Sequence, residues 1–340
     1  MANSIIRLIS SDIATTAALG VNLTDAEVAL KLEAGPTGLS AKGSVQIGGV
    51  CTDRSGNIYI SDVANHVILK VSEGGQTSVY AGSSGNFGRN GTLTNVPSLD
   101  ARFKNPRGLA CDRSGNVYVA DTGNNQIRVI RNGKVSHVAG AGDGSGGFVD
   151  GDGATARFQD PYDVAVDPTG IVYVADYTNN SIRRVKDGTV YTVSGDSAGN
   201  LNNVSSAAQT AGSNDIYTNP KALAIDPNGD VLVCDSGNYQ IKVLKPTGWV
   251  YKFSGSTIGK DKGTTAFDGK FNDLVQCDFD NSGNLYVVDK NSGSGSRVIR
   301  LEKTGVQEIV NDFAGATGYN NDVEGVAVSP AGKLFAIVSG

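Results

Sequence analysis

The sequence is short of the residues that most often carry catalysis or bind metals. Its 340 residues include two histidines, four cysteines, one methionine and one tryptophan. A protein zinc site normally takes three or four His, Cys or carboxylate ligands, so His66 and His137 are a poor basis for one. No G-x-S-x-G motif lies near either histidine, and a Ser-His-Asp hydrolase is therefore not indicated.

A positive charge excess and long apolar runs are also missing. Lys and Arg number 29 against 34 Asp and Glu, which gives a formal net charge of −5 and no electrostatic footprint for nucleic acid. No stretch approaches the ~18–20 apolar residues of a membrane span. The short run Ile5–Ile9 lacks the basic leader of a secretory signal. We therefore expect no nucleic-acid partner, no membrane association and folding in the cytoplasm.

Glycine is abundant, with 45 copies, and it punctuates a repeated block. Each block has an apolar strand, an Asp-x-x-Gly turn, a second apolar strand ending in Asp, a polar turn and a third strand. Measured between the first-turn aspartates from Asp53 to Asp280, successive blocks are 59, 55, 59 and 54 residues apart. Ser329 takes that aspartate's place in a sixth copy. Self-similarity at this period indicates a propeller or a solenoid.

The ends of the chain supply two parts of one block. Val326–Val338 reads as its first half, and Asn3–Leu8 aligns with Asn180–Val185, which is a third strand. Apolar runs such as Val117–Val119 do not alternate, as expected of strands buried on both faces. The sequence thus predicts an all-β, six-bladed β-propeller in which one blade is closed jointly by the N- and C-terminal segments.

The block Asp112–Arg128 resembles an NHL repeat. The segments Asp100–Ala110 and Gly151–Pro161 resemble the linkers between repeats of the same family. This resemblance implies a six-bladed ring closed by a strand borrowed from the other chain end.

We interpret residues 1–340 as a single domain of this type. Residues 1–23 provide closing strands of the last blade, residues 24–46 a connecting loop, and residues 47–340 blades one to six. The connecting region departs from the repeat pattern; it has room for a fourth strand of the shared blade, and Asp25–Leu32 could form a short helix or turn.

The four cysteines do not occupy equivalent repeat positions. Cys234 replaces an alanine of other blades, whereas Cys51, Cys111 and Cys277 fall in first strands. We expect buried free thiols that act as small hydrophobic side chains, in keeping with a reducing compartment.

Two sets of charged residues recur from block to block. One is the aspartate that ends each second strand, and we interpret it as a turn-bonding group because a catalytic residue is usually unique. Its copies are Asp62, Asp121, Asp176, Asp235 and Asp289. The other set is cationic and could form a basic arc around one channel mouth that holds an acidic partner group. Its members are Arg102, Arg157 and Lys270, each followed by a phenylalanine expected to fill the space between blades.

A metal site is the alternative for the acidic residues. Asp143, Asp150 and Asp152 lie close together in sequence, and their side chains suit Ca²⁺, although the spacing is not that of an EF-hand loop. The family resemblance also brings in calcium-dependent lactonases of the gluconolactonase type, for which Glu324 is the nearest candidate at a first-strand start. The zinc-dependent amidating lyases of the superfamily are rich in histidine, unlike this chain. We expect no cofactor, with Ca²⁺ as the alternative.

The function that these features favour is a non-catalytic structural or protein-interaction module. Partners would bind loops that differ between blades on one face, Ser83–Leu99 and Asp196–Ile216, and the propeller could assemble with itself or with another protein. The composition resembles NHL-type propellers of bacteriophages, which suggests a capsid or tail component. The alternatives are a divalent-metal-dependent lactonase or lyase and a host cytosolic ligand-binding scaffold.

Overall fold

The computed structural model describes residues 5–10, 29–31, 45–73, 75–83, 86–90, 92–195, 217–255, 270–290, 296–302, 307–312 and 322–339. These residues form antiparallel β-sheets joined by turns and short 3₁₀ turns. No helix in this part of the chain is long and apolar enough to span a membrane. The 3₁₀ turns are η1 (Ser98–Asp100), η2 (Thr122–Asn124) and η3 (Ser236–Asn238).

The described strands make six sheets, five of which are each drawn from one continuous stretch of chain. Blade 1 contains β3 (Ile47–Thr52), β4 (Ile58–Asp62), β5 (Val67–Val71) and β6 (Thr77–Ala81). Blade 2 contains β8 (Pro106–Cys111), β9 (Val117–Asp121), β10 (Gln126–Arg131) and β11 (Lys134–Ala139), with β7 (Val96–Pro97) at its outer edge. Blade 3 contains β13 (Pro161–Val166), β14 (Val172–Asp176), β15 (Ser181–Lys186) and β16 (Thr189–Gly195), with β12 (Gly151–Asp152) at its outer edge. Blade 4 contains β17 (Pro220–Ile225), β18 (Val231–Asp235), β19 (Gln240–Leu244) and β20 (Val250–Ser254). Blade 5 contains β21 (Leu274–Phe279), β22 (Leu285–Asp289), β23 (Arg297–Leu301) and β24 (Gln307–Asp312).

The remaining sheet joins the two ends of the chain, and we call it the composite sheet. It contains β25 (Asp322–Val328), β26 (Leu334–Ser339), β1 (Ile5–Ser10) and β2 (Ala29–Lys31). The first strands of successive sheets pack side by side around an axis, and β25 packs against both β21 and β3. The described strands therefore close into a ring, and the predicted all-β propeller class is confirmed.

The composite sheet differs in detail from the sequence interpretation. Ile5 pairs with Val338 as Ser181 pairs with Asp176, so β1 is displaced by one residue from the alignment of Asn3–Leu8 with Asn180–Val185. β2 lies within the range interpreted as a connecting loop, and it forms a strand where a short helix or turn was considered. It is the fourth strand of the shared blade for which this region had room.

Burial on both faces explains why the second strands do not alternate. All five residues of each second strand are buried in blades 1 to 5. Phe103, Phe158 and Phe271 are fully buried in apolar clusters that join successive blades, and Tyr217 has the same place between blades 3 and 4. These aromatic rings fill the seams between blades, as predicted for the phenylalanines.

The expectation of four free thiols is wrong for one pair. Cys51 of β3 and Cys111 of β8 form a disulfide across the seam between blades 1 and 2, with their Cα atoms 6.0 Å apart. The repeat pattern does not show this contact because it depends on how neighbouring first strands face each other. Cys234 and Cys277 are free and buried.

Candidate functional site at the channel mouth

Every first strand carries a bulge near its start. The pairing with the second strand shifts register after the same position in all six sheets. A bulge can re-aim a side chain and is common beside functional sites. The bulged residues, which we call the mouth ring, are Gly48, Arg107, Tyr162, Lys221, Val275 and Glu324; in blade 2 the bulge also includes Gly108.

Cations and aromatic rings follow one another over three blades of the mouth ring. The guanidinium carbon of Arg107 lies 4.5 Å from the ring centroid of Tyr162, and Nη1 of Arg107 donates a hydrogen bond of 2.8 Å to the Tyr162 hydroxyl. The Tyr162 ring is 5.2 Å from that of Tyr177. Nζ of Lys221, in the following blade, lies 6.0 Å from the Tyr162 centroid. All of these side chains are partly exposed.

The acidic groups at the mouth are already paired with lysines. Lys221 Nζ lies 2.6 and 2.8 Å from the two carboxylate oxygens of Asp273, and Lys290 forms an ion pair of 2.5 Å with Glu324. Arg107 has no carboxylate within ion-pair distance among the described residues, and its polar partner is the Tyr162 hydroxyl. Among the described residues of the mouth ring, Arg107 is thus a cation without a carboxylate partner, and it lies against the ring of Tyr162.

Buried polar side chains form the floor below this ring. Asp163 accepts hydrogen bonds of 2.8 Å from the amides of Val164 and Leu223, so that it connects blade 3 to blade 4. Gln276 donates to the carbonyl of Val50, reaching from blade 5 past the composite sheet to blade 1. Gly108 gives Asp163 its space, since a Cβ there would lie 1.9 Å from Asp163 Oδ1.

The acids of this floor are hard to ionise. Burial raises the pKa of Asp163 to about 8, against the opposing effect of its two amide hydrogen bonds. Burial likewise raises the pKa of Asp278 to about 6, although it accepts hydrogen bonds from the amides of Val328 and Phe279. The axis below the mouth is therefore poorly suited to negative charge.

The acidic residues considered for Ca²⁺ have separate partners. Asp143 bonds the amide and hydroxyl of Ser145, and Asp152 bonds the amide of Ala154. Asp150 pairs with the buried Arg183. Glu324 lies at the mouth and forms an ion pair with Lys290. In the described part of the chain, no three His, Cys, Asp or Glu side chains gather as metal ligands would.

The predicted basic arc is not the cationic part of the mouth ring. Arg102 is exposed and Arg157 is partly exposed, on the segments that lead into blades 2 and 3. Lys270 precedes Phe271 in the same way. The ring cations, Arg107 and Lys221, each follow the proline that begins their own first strand, and neither was among the predicted site residues. Their signal was the Pro-Arg, Pro-Tyr and Pro-Lys pairs at matched repeat positions.

The recurring aspartates bond the backbone and a neighbouring asparagine, in keeping with a structural part. Asp62, for example, accepts from the amides of Gln46 and Asn65 and from the Asn65 side chain. Asp121, Asp176 and Asp235 each accept from the equivalent asparagine and from the amide two residues before the first strand of their own blade. Asp289 accepts from the amides of Asn272 and Asp273. Burial raises the pKa of Asp121 to about 7 and that of Asp176 to about 6.

His66 lies in the turn between β4 and β5 of blade 1. It adopts a left-handed backbone conformation with a φ of 60°, as Asn125 and Asn180 do at the same turn of the next two blades. Its Nδ1 accepts a hydrogen bond from the amide of Asn105, and Asn125 and Asn180 bond the matching amides with their side-chain oxygens. His66 is thus a link between blades 1 and 2.

Comparison with known proteins supports the repeat assignment. The family model "Teneurin NHL domain" matches residues 39–186, and the NHL repeat model matches residues 217–244. Human NHL repeat-containing protein 2 is 30% identical over 271 residues, which is 71% of this chain and 36% of that protein. The chain thus spans little more than a third of this relative's length.

Solved structures share the fold at low sequence identity. A gluconolactonase from Xanthomonas campestris is 15% identical with a TM-score of 0.59, over 99% of this chain and 95% of the other. A catalytically inactive virginiamycin B lyase from Staphylococcus aureus, solved with quinupristin, is 12% identical with a TM-score of 0.50, over 88% and 82% of the two chains. The repeats, their match to the family models and the ring of sheets together place this chain in the NHL repeat family.

Proposed function

We propose that this chain is a non-catalytic binding propeller whose mouth face recognises an acidic group on a protein partner. Arg107 carries the proposal, because it is the mouth-ring cation for which the described residues supply no carboxylate. A guanidinium offers a planar fork of donors that matches a carboxylate, and Tyr162 holds it through a hydrogen bond and its ring face. The composite sheet acts as the sixth blade that completes this mouth.

Exposed apolar side chains on an adjoining segment support a protein partner. The first of the two predicted partner loops lies between β6 and β8. Its side chains Phe87, Leu93 and Leu99 are 59%, 60% and 58% exposed. The second loop, Asp196–Ile216, lies outside the described residues. Interfaces commonly combine apolar and aromatic anchors with arginine, and this segment leads directly to the strand that carries Arg107.

The test is affinity capture with matched arginine variants. We expect Arg107→Gln to weaken partner binding about tenfold or more, as loss of an interface arginine commonly does, whereas Arg113→Gln, exposed in the turn between β8 and β9, should bind normally. Quantitative mass spectrometry of captured proteins, followed by titration of the strongest partner, measures the difference. Equal binding by both variants would place the interface elsewhere.

A lactonase-type enzyme remains the second candidate, since Glu324 and Asp273 lie at the mouth of a fold shared with a gluconolactonase. Hydrolysis in a lactone screen with calcium, abolished by EDTA and by Glu324→Gln, would replace the binding role with this one. The relatives described above give no support to the expected bacteriophage capsid or tail role. The alternative of a host cytosolic scaffold is also a binding role, and it differs from the main proposal only in where the protein acts.

A further inference from the structure

The second cysteine pair lies across another seam of the ring. Cys234 is in β18 of blade 4, and Cys277 is in β21 of blade 5. Both belong to the apolar cluster that joins these two blades, and they are 0% and 6% exposed. Their strands pack against each other across this seam, and the Cys234 side chain interacts with that of Cys277.

Cys234 and Cys277 are free, buried thiols, and their surroundings make them slow to react. The contact with Cys234 and burial both raise the pKa of the Cys277 thiol well above its ordinary value. Because the thiolate is the form that attacks a disulfide, the buried pair reacts slowly while the seam is closed. Exchange requires that blades 4 and 5 separate locally or have not yet packed.

We propose that Cys234 and Cys277 are the site of a second inter-blade disulfide, formed when the chain meets a disulfide oxidant of low molecular weight such as oxidised glutathione. One cysteine thiolate attacks the oxidant, which breaks its S–S bond and releases one glutathione thiol. The second cysteine then attacks the mixed disulfide and releases the other. The protein loses two protons and two electrons, and one oxidised glutathione becomes two reduced molecules.

This bond would complement the one already present. Cys51–Cys111 joins blades 1 and 2 with a sequence separation of 60 residues, and the new bond would join blades 4 and 5. Each cross-link closes a loop of the unfolded chain and lowers its conformational entropy. A ring joined at two separate seams resists opening at either seam, and this inference does not depend on what the mouth binds.

The experiment counts thiols in the full-length protein. The double variant Cys51→Ser/Cys111→Ser is refolded in a glutathione redox buffer, unfolded in denaturant with N-ethylmaleimide, and weighed intact. We expect no maleimide label after oxidation and two labels after reduction, with a melting temperature several degrees higher for the oxidised form. The further change Cys234→Ala is the control, and it should leave one thiol that is labelled or carries glutathione.

Non-reducing digestion of the oxidised wild-type protein gives a second readout that does not require the double variant to fold. A cross-linked peptide pair containing Cys234 and Cys277 is expected. Two labels on the oxidised variant, or linkage of these cysteines only between molecules, would overturn the proposal.

Discussion

Asp163 shows how one side chain can connect blades and make stability depend on pH. Its folded pKa of about 8 exceeds its ordinary value of 3.8, so the folded protein binds this proton more tightly than the unfolded chain does. The stabilising contribution of the protonated group is complete below about pH 4 and is lost as pH rises through about 8.

Asp163→Asn should remove this dependence. Asparagine offers only one acceptor oxygen to the amides of Val164 and Leu223, so we expect a lower melting temperature than wild type at pH 5. The difference should shrink or reverse by pH 9, because only the wild type has to ionise a buried acid. A shift of about 2–4 °C accompanies each kcal/mol in domains somewhat smaller than this one.

Melting curves at pH 5, 7 and 9 measure the effect. Asp278→Asn is the matched comparison, and its change should be confined to the range between about pH 4 and its folded pKa of about 6. A difference between Asp163→Asn and wild type that stays constant with pH would contradict this account.

At the scale of elements, the hairpin of second and third strands combines a buried aspartate with a buried cation. In blade 3, Arg183 bonds Asp176, Asp150 and the carbonyls of Arg157 and Val149. In blade 2, the matching Arg128 is fully buried, yet its nearest carboxylate oxygen is 3.7 Å away and its nitrogens have no hydrogen-bond partner among the described residues. The buried arginine of this hairpin therefore has hydrogen-bond partners in blade 3 but none among the described residues in blade 2.

Replacing each arginine with methionine should separate the two cases. Arg183→Met leaves two carboxylates without their cation, and breaking a buried pair in this way commonly costs about 3–5 kcal/mol. Arg128→Met should cost clearly less, because Arg128 makes no hydrogen bond to the described residues and Asp121, whose pKa is already raised by burial, can take up a proton when the cation is lost. Urea denaturation of both variants tests this, and equal losses would refute it.

Features of the strands that depend on local sequence were predictable, whereas those that depend on strand register and blade packing were not. The repeat gave the order of strands, the aspartate turns and the buried phenylalanines, because each follows from local patterning. The bulges were missed, and with them Arg107 and Tyr162, because a bulge is visible only in pairing register. The Cys51–Cys111 bond was missed because it joins residues in two repeats whose facing depends on how blades pack.

At the scale of the whole molecule, the composite sheet determines whether the ring is closed. Removing residues 1–31 would delete β1 and β2 and leave β26 with an unpaired edge. We expect the truncated protein to lose its single cooperative unfolding transition. We also expect it to self-associate, because an open strand edge pairs with other chains.

Light scattering after size exclusion, together with calorimetry, measures both effects. Deletion of residues 1–4, which precede β1, is the control and should retain a monomer or the wild-type assembly. A truncated protein that unfolds in the wild-type manner would show that the ring does not depend on this sheet.

The pairing of Ile5 with Val338 also sets an order of events during synthesis. β1 is made before blades 1 to 5, and its partner β26 is made after all of them. At ~5–20 residues per second, β1 waits roughly 15–65 s for β26, while blades 1 to 5 emerge one after another. The ring can therefore close only after these five blades have been made, and β1 is open to a chaperone during that interval.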